Sequence, residues 1–136
     1  MGTRTRMRSK TALIEHYGEM WDRNSKNIGD VPGHREHGQG VYILYDGSTP
    51  VYVGKGNIQA RLRKENNKSK RLGNSWDHFS WFLIRHQDED LIHDVEVLLL
   101  RILPPYLRYM TRQRGKFKGS PAKHEQKNST RFRIER

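Results

Sequence analysis

A chain of 136 residues with 33% hydrophobic content has room for one domain with a modest core. Its 26 Lys and Arg against 15 Asp and Glu give a formal charge of +11, which suggests a polyanionic partner. The absence of cysteine excludes disulfides, thiolate zinc sites and thiol nucleophiles. With no apolar run of signal-peptide or membrane-span length, the expected setting is intracellular and cytoplasmic, with no membrane partner.

The excess charge is unevenly placed. Residues 1–10 carry four basic groups and no acid, and residues 111–136 carry nine basic and two acidic, while 11–110 balance at 13 of each. Inside that neutral segment, Lys55 to Arg71 holds seven basic residues and one acid, whereas Asp77 to Glu96 holds six acids and one Arg. Such polarity suits a protein that lays one face on phosphates and keeps carboxylates for a metal. It equally suits a basic protein whose tails bind RNA without chemistry.

In chain order, residues 1–10 form a basic arm. Leu13, Ile14, Tyr17, Met20 and Trp21 recur at helical spacing, which predicts an amphipathic helix over about 11–23 packed on a sheet. Residues 24–39, polar and glycine-rich with His34, Arg35 and His37, read as a loop. Val41 to Tyr45 and Val51 to Val53 flank Asp46-Gly47-Ser48-Thr49-Pro50, a hairpin signal. Pairing Tyr45 with Val51 would set Tyr42 and Tyr52 on one face, and a one-residue slip would separate them.

Asn57 can cap a helix that turns Ile58 and Leu62 to the core and carries Arg61, Arg63 and Lys64 on its flank. Residues 66–77 read as a connection, and His78 to Ile84 as a third strand. A helix over about 89–103 follows, stopped by Pro104-Pro105. Beyond it lies a weakly structured basic tail, with Phe117 and Phe132 as anchor points. The expected division is 1–37 (arm, helix, loop), 38–106 (core) and 107–136 (tail).

Four positions in this frame carry chemistry. Glu96 projects from a stripe that includes Ile92, Leu99, Leu100 and Leu103. A carboxylate there needs a partner, either a divalent cation or a buried Arg or tyrosine hydroxyl. Arg61 lies just past Gly54-Lys55-Gly56-Asn57 at a helix start, where a planar fork suits a phosphate. Spacing alone does not separate it from Arg63. Tyr42 and Tyr52 would each read as packing residues if alone, but they share a face with Arg61 immediately downstream.

Gly40-Val41-Tyr42, Tyr52-Val53-Gly54, Arg61 and Glu96, in this order and spacing, resemble the GIY-YIG nuclease family over about residues 38–106. Lys55 directly after the second motif, Arg61-Leu62 in the next helix and Glu96-Val97-Leu98-Leu99-Leu100 running into Pro104-Pro105 extend the likeness. The segments Trp76 to Ser80 and Gly115-Lys116-Phe117 resemble small stand-alone members. The resemblance implies an α+β fold, a small three-stranded antiparallel sheet flanked by helices, with one divalent metal, Mg²⁺ or Mn²⁺, held by Glu96. It implies Tyr42 as general base or water-orienting group, Tyr52 near the phosphate, Arg61 on the pentacovalent phosphate and Lys55 in support. The reaction implied is phosphodiester hydrolysis leaving a 5′-phosphate and a 3′-hydroxyl.

Those roles are what such a hydrolysis requires: a proton acceptor, positive charge on the equatorial oxygens and a Lewis acid. Two positions depart from the family pattern. Glu65 stands four residues after Arg61, where a His or Tyr is frequent, and reads as a helix-surface residue. Tyr106 and Leu107 stand where an Asn often follows the prolines. His78 is an auxiliary polar candidate.

The expected function is a metal-dependent endonuclease acting on DNA. Arg63, Lys64, Lys68, Lys70, Arg71, Lys116 and Lys118 would supply largely sequence-independent phosphate contacts. The alternatives are a catalytically inactive nucleic-acid-binding protein on the same scaffold and a ribonuclease. Oligomeric state is open, since one small site cuts one strand per visit.

Overall fold

The computed structural model describes residues 12–33, 38–67, 75–85, 89–103 and 117. The expectations for the rest of both tails, for His34, Arg35 and His37, for Lys68, Lys70, Arg71, Lys116 and Lys118, and for Pro104 to Leu107 and Phe132 lie outside them, while the ring of Phe117, an expected anchor point, stands 5.7 Å from the Arg101 guanidinium. Within them the elements are β1 (Ile14–Asp22), α1 (Ser25–Asp30), β2 (Gln39–Asp46), β3 (Thr49–Asn57), α2 (Ile58–Asn67), β4 (His78–Ile84) and α3 (Glu89–Ile102). The class is α+β. The four strands make one antiparallel sheet in the order β1-β4-β2-β3. Among the described residues no helix is long and apolar enough to cross a membrane.

The hairpin is tighter than expected, because the strands run on to Asp46 and Thr49 and leave Gly47, at φ 66°, to turn the chain. A register shift between Leu44 and Tyr45 pairs Tyr45 with Pro50 rather than Val51. Proline cannot donate to a ladder, and a bulge beside it accommodates the loss. Below the bulge Leu44 pairs with Tyr52 and Tyr42 with Gly54, so Tyr42 and Tyr52 do share a face.

β4 fills the position between β1 and β2, and Phe79, Ser80, Trp81, Leu83 and Ile84 are all buried there. A strand covered on both faces reads as a nearly continuous apolar run, as this one does.

The amphipathic helix expected over 11–23 is instead the edge strand β1, which gives four strands rather than three. Its pairing with β4 breaks register twice, between Ile14 and His16 and between Gly18 and Trp21. Each irregularity resets the in-out alternation, and the resulting spacing imitates a helical stripe. Tyr17 stacks on Phe82 at 5.6 Å, and Trp21 meets Phe79 and Trp81 edge-on at 5.9 and 5.3 Å. Gly18 lies against Trp21 and Trp81 with no room for a side chain, and it would also weaken a helix interior. The second irregularity is held by buried Ser80, whose Oγ accepts from Met20 N at 3.0 Å, where Met20 sits at φ 54°.

Part of the expected loop 24–39 is a helix as well. Asn24 Oδ1 accepts from Asn27 N at 2.7 Å to cap α1, which buries Ile28. Gln59 Nε2 on α2 donates to the Gly29 and Val31 carbonyls at 3.1 and 2.7 Å, satisfying the end of α1. α2 is capped by Asn57, whose Oδ1 accepts from Ala60 N at 3.0 Å.

Each face of the sheet has its own core. Ile28, Val31, Ile58, Leu62 and Trp76 pack with Tyr42, Leu44, Phe79, Trp81 and Leu83 on one side. Ile92, Leu100 and Leu103 close on Val41, Ile84 and Val53 on the other. Arg23, just past β1, ties distant segments together. Its guanidinium donates to Asn66 Oδ1 at 2.7 Å and the Trp76 carbonyl at 2.8 Å, and stacks 4.0 Å from the Trp76 ring.

Candidate active site

The glycines of the two motifs are dictated by close approaches. Tyr42 is buried, and its ring and hydroxyl occupy the space that a Cβ on the cross-strand Gly54 would need. A Cβ on Gly40 would collide with the Phe82 carbonyl oxygen, so β2 and β4 can pair this closely only through glycine. Gly56 adopts φ 121°, and a Cβ there would stand 3.0 Å from Arg61 Nε. Arg61 therefore folds back over the end of β3.

Tyr42 and Tyr52 lie with ring centroids 6.0 Å apart, and their hydroxyls hydrogen-bond each other. Burial pushes the Tyr42 hydroxyl far above the usual tyrosine range, and the neighbouring Tyr52 and the Glu65 carboxylate act in the same direction. Burial also raises Tyr52, with Glu65 and Glu96 adding to the effect. Arg61 opposes both shifts.

Glu96 reaches this group from α3. It is 4% exposed, and burial raises its carboxyl against the opposing charges of Lys55, His93 and Arg61. The tyrosines stand on the α2 face of the sheet and Glu96 on the α3 helix beyond the other face. β3 is the sheet's outer strand, and its glycine-rich end lets the two sides act on each other around its edge.

The structure thus brings together Tyr42, Tyr52, Lys55, Arg61 and Glu96. Arg63 and Lys64 are exposed on α2, the next residues along the helix. His78 is not part of the group, because it begins β4 beside Tyr45, at the far end of the sheet. There its Nε2 contacts Asp22 Oδ1 at 2.9 Å and its Nδ1 contacts Asp77 Oδ1 at 2.8 Å.

Two site residues escaped the sequence reading. Glu65, expected on the helix surface, is half-buried and its charge acts on both tyrosines. The available signal was its spacing, since Ile58, Leu62 and Glu65 form one stripe along α2. His93 lies one turn before Glu96 on α3, and its charge favours the Glu96 carboxylate.

Among the described residues no group of three or more His, Asp or Glu is placed to share a metal. A buried carboxyl oxygen donor at Glu96 fits a hard divalent cation that takes its remaining oxygens from water and substrate. Comparison of the chain with family models, curated proteins and solved structures gives no match.

Proposed function

We propose that the protein is a metal-dependent endonuclease that hydrolyses phosphodiester bonds in DNA, in the manner of the GIY-YIG nucleases its motifs resemble. The observation that carries this reading is the convergence of Tyr42, Tyr52, Lys55, Arg61 and Glu96 around the β2–β3 pair, although they come from four elements. Glu96 would hold one Mg²⁺ or Mn²⁺, which would supply Lewis-acid stabilisation of developing negative charge.

The remaining work falls to the chain's own groups. Arg61 presents a planar fork to the phosphate and Lys55 adds a second positive charge. Tyr42, held neutral by burial, orients the attacking water through its hydroxyl, and Tyr52 fixes the Tyr42 hydroxyl by their shared hydrogen bond. Arg63 and Lys64 extend the positive surface along α2 for the flanking phosphates.

Supercoiled plasmid incubated with Mg²⁺, Mn²⁺ or EDTA tests the reading. Metal-dependent nicking is expected, with Arg61→Ala slower by about 10²–10³-fold and Glu96→Ala inactive. The ratio of nicked to linear product reports single or paired cutting. A second reading, an inactive nucleic-acid binder, draws on the four cations Lys55, Arg61, Arg63 and Lys64, which could hold phosphate without chemistry. Salt-sensitive binding unchanged by EDTA, with no cleavage at any metal, would establish it. Competition between DNA and RNA in matched salt separates the deoxyribonuclease from a ribonuclease.

A further inference from the structure

α3 carries two apolar rows, and only one of them is buried. Ile92, Leu100 and Leu103 turn to the sheet beside Glu96, whereas Leu91, Leu98 and Ile102 are 39%, 55% and 70% exposed. We infer that this second row, with Val95, is the surface through which two copies of the chain associate, their α3 helices lying antiparallel across a two-fold axis. The row stands about a third of a turn round the helix from Glu96, so the association does not depend on the nuclease reading.

Spacing identifies the occupant as a helix. Leu91, Val95, Leu98 and Ile102 follow one another at intervals of four, three and four, the seam by which one helix packs on another. On the inner side of that seam Ile92 and Leu99 already pack on the chain's own sheet. One further helix therefore has access, which gives a pair rather than a larger bundle.

Charge identifies that helix as a second α3 and sets its direction. Asp94 and Arg101 lie along the outer side of the seam, seven residues apart. In a parallel pair Asp94 would face the partner's Leu99, which is turned to the sheet. In an antiparallel pair Leu91 lies opposite the partner's Ile102 and Val95 opposite the partner's Leu98. Asp94 then stands beside the partner's Arg101, and the two-fold axis makes that opposite-charge contact twice.

The sheet extends the surface. α3 lies over β2 and β3, leaving Phe82 of β4 half-buried and Tyr17 of β1 exposed, stacked 5.6 Å apart. Val95 packs in the same cluster as Phe82 and Ile14, so the row looks out over β4 and β1. A second α3 seated there removes one contiguous apolar strip from water on each copy.

Light scattering after size exclusion of the full chain at micromolar concentration, in enough salt to screen its charge of +11, is expected to give twice 16.1 kDa. Leu98→Glu combined with Ile102→Glu should give a monomer with a native melting temperature, because both positions are exposed in the single chain. Arg101→Asp and Asp94→Arg should each raise the dissociation constant by about tenfold, and the two together should restore it. The chain has no cysteine, so Leu91→Cys with Ile102→Cys in one chain should oxidise to a covalent dimer while neither single variant does. Cross-linking of Leu91→Cys alone would mark parallel helices and overturn the assignment. A monomeric native protein overturns it too, whether the row is then covered by the chain's own tail or by another protein. So does a dimer that survives Leu98→Glu with Ile102→Glu, and each of these results leaves plasmid nicking to be judged by itself.

Discussion

Gly54 shows how strictly one atom can bind two motifs. Because the Tyr42 ring fills the place of its missing side chain, Gly54→Ala must displace either the ring or the β2–β3 ladder. We expect a loss of about 1–3 kcal/mol in denaturant unfolding, with cleavage falling further than stability alone accounts for. Glu96→Gln should do the reverse. A carboxyl raised by burial holds its proton more tightly when folded than when unfolded, so its contribution is present at low pH and is lost as pH rises through the folded value. Removing the charge should therefore raise the melting temperature more at pH 8 than at pH 4.5 while abolishing metal-dependent nicking. Equal melting shifts at both pH values would contradict a buried, charge-disfavouring site. The sequence exposed Glu96 as an anomaly because an apolar stripe surrounds it. Glu65 stood out less, since the row it extends along α2 holds only Ile58 and Leu62 as buried residues, too short a stripe to mark a third member.

Among the elements, those set by local pattern were legible and those set by tertiary contact were not. The hairpin, the Asn57 cap, β4 and α3 each carry their own signal in turn residues, capping side chain or periodicity. β1 misled because two bulges spaced its aromatic contacts like a helix, and only the open edge of β4 decides the matter. The end of the sheet away from the candidate site holds a titrating clamp. Hydrogen bonding to Asp77, together with the charges of Asp77 and Asp22, raises His78 above its ordinary value. The His78 proton bound in the folded state is favourable below about pH 6.5, and that advantage disappears as pH climbs through the raised folded value. Melting curves between pH 5.5 and 8.5 should show a fall in stability over that window that is absent in His78→Asn. A fall of the same size in the variant would assign it elsewhere.

At the scale of the molecule, charge and topology divide the work. Binding to duplex DNA should weaken steeply with salt, and replacing exposed Arg63 and Lys64 together by Gln should lower the log–log salt slope by about two, measured by fluorescence anisotropy. A slope unchanged in that variant would place the phosphate track off α2. The α+β class was legible from the order of patterns, but the strand order was not, since nothing local announces that the first strand lies beside the last. That placement has a consequence for how the protein is made. Met20 meets Ser80 across sixty positions of chain, so β1 leaves the ribosome long before the strand that will receive it. Until β4 emerges, β1 offers Ile14 and Trp21, which pack on the core of the finished sheet, to whatever is near. A shortened version starting at the first motif would have the opposite defect, with β4 turned into an unguarded border ready to recruit a strand from another copy.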